Sequence, residues 1–167
     1  MIIRRFGMNK KVIQITYGAV IAALYVALTF VFQAFASGAV QVRIAEMLAI
    51  MPVFTPYAIP GLAIGCLLAN IFTGCLVPDI IFGTIATLIG AIGTRMLRKK
   101  PFLAVLPPIA ANTAIVPAVI KICYLDKTPF PLLVLFVAVG EIISIGVFGT
   151  ILLVTLRKYS SKMYLSD

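Results

Sequence analysis

The 167-residue chain contains no histidine and only five acidic residues. Without histidine it lacks the usual general base, any Ser-His or Cys-His catalytic pair, and the commonest zinc ligand. Its three cysteines, Cys66, Cys75 and Cys123, sit in apolar runs with no Cys-x-x-Cys spacing. They read as buried thiols, and neither a disulfide framework nor a metal site is expected. There is no Gly-x-x-x-x-Gly-Lys-Ser/Thr loop, no Gly-x-Ser-x-Gly, no His-Glu-x-x-His and no paired intramembrane aspartates. The expectation is therefore a protein that is not an enzyme, carries no cofactor and does not bind ATP in the P-loop manner. Charge is scarce as well. Charged residues make up 11% and apolar residues 62%, with a mean hydropathy of +1.15. Ordinary soluble domains have about 25% charged residues. Too few polar residues remain to cover a surface in water, which excludes a cytosolic globular protein and intrinsic disorder.

Long uncharged runs are what the sequence does have. No charge occurs from Val12 to Gln41 or from Met47 to Pro78, and Ile80–Thr94, Pro101–Ile120, Thr128–Gly140 and Ile142–Leu156 complete the set. A bilayer core takes about 20 apolar residues per helix. Val12–Ala36 is the first predicted span. Arg4, Arg5, Lys10 and Lys11 precede it and Ala34-Phe35-Ala36 resembles a cleavage site, but the run exceeds a signal peptide's apolar stretch of about 7–15 residues. The stretch Ile44–Val77 is too long for one span and short for two. Pro52, Pro56 and Pro60 break it. It reads as a short helix Ile44–Phe54, a tight turn Thr55–Ile59, and a helix Pro60–Val77 with proline in its first turn. Ile80–Leu97, Phe102–Tyr124 and Pro131–Leu156 follow. The expected organisation is a cytoplasmic segment 1–11, a six-helix transmembrane domain 12–157 and a cytoplasmic tail 158–167.

Charge tests that count independently. Arg4, Arg5, Lys10, Lys11, Arg95, Arg98, Lys99, Lys100, Arg157, Lys158 and Lys162 fall on one face if there are six spans. Only Arg43, Lys121 and Lys127 are left for the other. The positive-inside rule then puts both termini in the cytoplasm. The same distribution accounts for the net charge of +9 by attraction to an anionic leaflet, so nucleic acid is not an expected partner. No internal repeat or low-complexity segment is visible.

A charge at the bilayer centre costs about 2.5–3.5 kcal/mol on insertion scales, so polar residues there need partners or a wet cavity. Seven qualify: Arg43, Glu46, Asn70, Asp79, Asn112, Lys121 and Glu141. All fall in the outer half or at mid-depth, which suggests a polar pocket opening outward. Each also has a plainer reading. Arg43 and Glu46, three apart, can pair at the interface. Asp79, after Pro78 and before a helix, reads first as an N-cap. Lys121 can snorkel outward. Asn70 and Asn112 can form interhelical hydrogen bonds. Glu141, roughly 15 Å into the last helix at 1.5 Å per residue, has neither a cation within a turn nor a snorkelling route. It is favoured as a site residue. Carboxylates and amides suit a small, planar, donor-rich and cationic ligand, with Phe32, Phe35, Phe82, Tyr124 or Phe130 available to stack on it. For any one of these rings, packing is the plainer reading.

Small residues mark close-packing faces. Gly61, Gly65 and Ala69, and Gly83, Thr87 and Ala91, are accounted for by internal packing. Ala19, Ala23 and Ala27 on the first helix are equally open to an outside partner.

The sequence resembles the substrate-binding S component of energy-coupling factor transporters, and more narrowly the QueT family. The resemblance lies in the runs Val42–Leu48 and Pro52–Leu62. It continues in Gly65–Asn70, Pro78–Gly83, Asn112 after Pro107-Pro108, and Gly140-Glu141, across most of residues 10–158. It implies an S-component-like bundle in a bacterial plasma membrane, working with a transmembrane T subunit and two ABC ATPases. It implies uptake of queuosine precursors, which are deazaguanine bases, and contact of Ala19, Ala23 and Ala27 with the T subunit. Within it, Glu46 and Glu141 would accept the ligand's N–H donors or neutralise its cation, and Asn70 and Asn112 would read its carbonyl and ring nitrogen. Arg43 would orient Glu46 or cover the site, with Asp79 and Phe82 completing the set. An S component for another small vitamin, or a structural or assembly protein of the membrane, are the alternatives. Met1–Gly7 precedes Met8 as an extension that bears only on the start site.

Overall fold

A computed structural model describes residues 9–36 and 41–160. Arg4, Arg5, Lys162 and the Met1–Gly7 extension lie outside the described residues, as does the Phe35 side chain. The regular structure of the described residues is all helical. Helix α1 spans Lys10–Val31, and the Asn9 side chain caps it by accepting from the Lys11 N–H at 3.1 Å. Phe32 interrupts it before the short α2, Gln33–Ala36. A 3-10 helix runs Ile44–Val53, followed by α3, Ala58–Phe72, α4, Val77–Met96, and α5, Leu106–Cys123. The last element begins as α6, Phe130–Glu141, widens to a π-helical segment Ile142–Gly149 and ends as α7, Thr150–Ser160.

Among the described residues, four stretches are long and apolar enough to cross a membrane: Lys11–Val31, Val77–Met96, Leu106–Cys123 and Phe130–Tyr159. The 3-10 helix and α3 are the two shorter apolar helices. The region around Pro52 does form a helix, but of a tighter kind than an α-helix. A 3-10 helix rises about 2.0 Å per residue, so its ten residues extend about 20 Å where an α-helix would reach about 15 Å. Runs beyond three or four residues are uncommon and mark strain or function.

Several predicted boundaries move, each for a local reason. Helix α3 starts at Ala58, two residues ahead of Pro60, and ends at Phe72 where Val77 was expected. Gly74 ends it, with φ +73 in the left-handed region open to glycine, and the Cys75 N–H folds back to the Asn70 carbonyl at 3.0 Å. Helix α4 therefore begins at Val77, with Pro78 in its first turn. Its N-cap is Leu76, so Asp79 is the third helical residue and not the cap. Residues 101–105 form turns, because Pro107 and Pro108 set the start of α5 at Leu106.

The elements alternate in direction. At one end, the close of the 3-10 helix meets the close of α4, where Arg95 donates to the carbonyls of Pro52 and Val53 at 3.2 and 3.4 Å. Thr94 donates there to the Ala104 carbonyl at 2.9 Å. Ile50, Ala104, Val105, Ile145 and Leu153 form the core at this end. A second core cluster, with Ile21, Tyr25, Leu48, Leu62 and Cys66, joins α1, the 3-10 helix and α3. Helices α1 and α3 touch backbone to backbone: a Cβ on Gly61 would stand 2.6 Å from the Gly18 carbonyl oxygen. Gly65, Ala69, Gly83, Thr87 and Ala91 are buried, as the internal-packing reading of their stripes expects. Ala19, Ala23 and Ala27 are exposed, one stripe over from buried Ala22 and Tyr25.

Candidate functional site

The opposite end of the bundle holds a cavity of about 380 Å³ with polar walls. Helix α5 supplies one wall through Val116, Ile120 and Tyr124, on successive turns of a single face. Asn70, Thr73 and Cys75 come from the end of α3 and the turn after it, and Asp79 from the first turn of α4. Thr29 and Gln33 close it from α1 and α2, and Arg43 from the segment entering the 3-10 helix.

Hydrogen bonds fix this rim. The Tyr124 hydroxyl donates to Asp79 Oδ2 at 3.0 Å and accepts from the Leu76 N–H at 3.3 Å, joining the end of α5 to the start of α4. The Lys121 ammonium ends on the carbonyls of Asp126 and Thr128, at 2.7 and 2.8 Å, and so pins the α5–α6 loop. Asp126, at the cavity mouth, accepts from the Thr128 N–H at 2.7 Å. Hydrogen bonds from the Thr128 side chain and backbone hold its carboxyl below the usual carboxylate range.

Three more of the expected residues lie one layer deeper. Glu46 is 1% exposed, Glu141 4% and Asn112 3%. Asn112 stands one turn below Val116, and so beneath the cavity wall on α5. Its side chain hydrogen-bonds Glu141. Glu46 Oε1 accepts from the Tyr25 hydroxyl. Glu46 Oε2, Glu141 Oε2 and the Ser144 hydroxyl are buried with no hydrogen-bond partner. The Arg43 guanidinium stands between the two layers. Its Nη2 donates to Asn70 Oδ1 at 2.8 Å, while Glu46 and Asp79 both act on its charge. The plain surface pairing of Arg43 with Glu46 does not occur: Arg43 bonds Asn70, and Glu46 turns inward to Tyr25.

Buried polar groups without partners cost about 1–3 kcal/mol each, more when charged. Neither Glu46 nor Glu141 lines the polar cavity, and each has one buried oxygen without a hydrogen-bond partner among the described residues. Phe82 stands apart from the cavity as well. That ring is 48% exposed on α4 and absent from the cavity lining. Phe130 is likewise exposed, whereas Tyr124 lines the cavity and Phe32 lines a small crevice beside Arg43. Sequence reasoning missed Tyr25, Thr73 and Ser144. Tyr25 alone left a trace: with Ile21 and Ala22 it forms a second stripe on α1, and a hydroxyl on a buried stripe needs a partner.

A second, larger cavity of about 1040 Å³ lies elsewhere. It is an apolar groove between α1 and α3, lined by Ala19, Ala23 and Ala27 with Ile64, Leu68 and Phe72, and bordered at one end by Lys11 and Gln14. Its walls are mostly apolar, with polar groups only at Lys11, Gln14 and Tyr57.

A model of the QueT transporter family matches residues 15–158. No curated protein and no solved structure matches the chain.

Proposed function

The chain belongs to the QueT transporter family, and from that premise we propose that it is the substrate-binding S component of an energy-coupling factor transporter. It captures a queuosine precursor, a deazaguanine base, outside a bacterial plasma membrane. A transmembrane T subunit and two ABC ATPases then drive uptake. The chain is a membrane protein of a transporter family and not an enzyme.

One observation supports the ligand above the others: Glu46 and Glu141 each bury an oxygen with no partner, beside Asn112 and beneath the Arg43–Asn70 contact. A deazaguanine edge carries a ring N–H and an exocyclic amine side by side, which a carboxylate accepts together. An aminomethyl group adds a cation for the second carboxylate. The cavity above, with Arg43, Asn70, Asp79 and Tyr124, is the entry, and its volume lies within the range of about 300–1,000 Å³ usual for small-molecule sites. The alternating direction of the elements supports a reading of six passes, the two short ones included. The exposed basic residues Arg98, Lys99, Lys100, Arg157 and Lys158 gather at the end away from the cavity, so that end is cytoplasmic. The exposed alanines of α1 are the T-subunit face.

Titration of aminomethyl-deazaguanine into the purified chain, against flavin, thiamine and biotin, tests the reading. Glu46→Gln and Glu141→Gln should each weaken binding by roughly ten- to hundredfold, the worth of a hydrogen bond to a charged group. Their melting temperatures should fall little. Unchanged affinity in both variants removes the carboxylate cradle, and tighter binding of one of the other vitamins reassigns the ligand.

A further inference from the structure

Two turns border the polar cavity, one after α3 and one after α5, and they are built differently. The turn after α3 has glycine at its left-handed position, Gly74, and closes through backbone: the Cys75 N–H donates to the Asn70 carbonyl at 3.0 Å and the Gly74 N–H to the Ile71 carbonyl at 3.1 Å. The turn after α5 has a leucine there. Leu125, at φ +51, is the one residue other than glycine with positive φ among the described residues. A side chain with a Cβ disfavours that region, and leucine has no polar group to offset the cost. The Leu125 side chain is 80% exposed, so packing does not hold it in place. Among the described residues, neither the Leu125 nor the Asp126 N–H folds back onto an α5 carbonyl.

Lys121, one turn back on α5, spans this turn instead. Its ammonium donates to the carbonyls of Asp126 and Thr128, and the Asp126 carboxylate accepts from the Thr128 N–H. The residues on either side of Leu125 both line the cavity. Tyr124 does so with its hydroxyl tied to Asp79 and to the Leu76 N–H, and Asp126 stands at the mouth. Strained backbone persists only where its surroundings over-determine it, and it gathers at ligand clamps.

We propose that Lys121 is a positioning residue for ligand capture: its ammonium holds Leu125 in the left-handed conformation and so keeps Tyr124 and Asp126 together on the cavity wall. Lys121 does not itself line the cavity and acts through the turn. Without the clamp, Leu125 relaxes toward negative φ and the wall opens. Only chains that still hold the turn then bind, and apparent affinity falls with their fraction. This rests on the reading that the polar cavity admits the ligand.

Lys121→Met keeps the apolar stem and removes the ammonium. Titration of aminomethyl-deazaguanine into the purified chain should show binding weakened by about five- to thirtyfold, the factor by which a side chain with a Cβ disfavours the left-handed region. Leu125→Gly alone should bind as the wild type does, because glycine accepts positive φ. Combined with Lys121→Met, it should restore most of the lost affinity. A contact made by Lys121 with the ligand itself is not one that a glycine at 125 can replace. Leu125→Val is β-branched and poorer still at positive φ, so it should weaken binding with Lys121 intact, and it decides the matter if Lys121→Met does not fold. Hydrogen exchange at the Thr128 amide reads the turn with no ligand present. It should quicken in Lys121→Met and slow again in the double variant. Wild-type affinity in Lys121→Met or in Leu125→Val, no rescue by Leu125→Gly, or unchanged exchange each overturns the proposal. Exchange that behaves as expected in a chain that does not bind aminomethyl-deazaguanine keeps the clamp on the turn and removes the ligand reading instead.

Discussion

Arg43 Nη2 donates to Asn70 Oδ1 across 2.8 Å, tying the segment that enters the 3-10 helix to the last turn of α3. The Asn70 amide nitrogen turns the other way, to Cys66 Sγ at 3.6 Å. Asn70 thus holds the guanidinium at the polar cavity. Asn70→Ala removes the acceptor of a charged donor and should cost about 1.5–3 kcal/mol of stability. A denaturation curve in detergent checks it. An unchanged midpoint would mean that Arg43 has no need of this partner.

Gly140 lies directly against the backbone that leads to Arg43. A Cβ there would stand 2.3 Å from the Gln41 carbonyl oxygen, a contact with backbone that cannot swing aside. Gly140→Ala should destabilise by about 1–3 kcal/mol through overpacking and weaken ligand binding as the segment shifts. Gly146→Ala is the comparison. Its Cβ would meet only side-chain carbons, at 3.6 and 4.0 Å, and both stability and affinity should change little. Equal effects of the two substitutions would argue against the Gly140–Gln41 contact as a positioning element.

The basic end of the bundle carries Lys99 and the cavity end carries Asp126. In intact cells an impermeant thiol reagent should label a cysteine introduced by Asp126→Cys and spare one introduced by Lys99→Cys. Labelling of both sites, or of Lys99→Cys alone, contradicts six passes with cytoplasmic termini.

Ala19 and Ala23 are exposed along the apolar groove, on the side of α1 away from buried Tyr25. Ala19→Trp or Ala23→Trp should abolish co-purification of a T subunit and uptake, because a large ring prevents close helix approach. Ligand binding to the isolated chain should persist. Retained co-purification with both substitutions would move the docking surface elsewhere.

Much of this was readable along the chain. Glu141 stood out because no cation lies within a helical turn, and the folded protein leaves one of its oxygens without a partner. The alanine spacing on α1 marks a close-packing face, and within the folded chain those alanines are exposed. Phe82 lies apart from the cavity. It follows Asp79 by three positions, but the helix presents Asp79 to the cavity and leaves the ring outside. Helix phase decides this, and phase depended on where α4 begins. The start at Val77 follows from the turn at Gly74, whereas a reading of apolar runs placed it at Ile80.

Composition and apolar runs along the chain were enough for the membrane environment, the helical class, the clustering of basic residues and the short roster of polar residues within apolar runs. Each is a local property, summed over composition or over one run, and needs no knowledge of neighbours. The tertiary structure decided who meets whom. Glu46 takes Tyr25 and not Arg43, Arg43 takes Asn70, and Asp79 takes Tyr124 from 45 positions away. It also decided the 3-10 and π geometries that carry or adjoin the two buried acids. Hydropathy has no period that distinguishes such helices in an all-apolar run. Only packing against other elements selects one turn geometry over another, and with it the place where two buried carboxyl oxygens have no partner among the described residues.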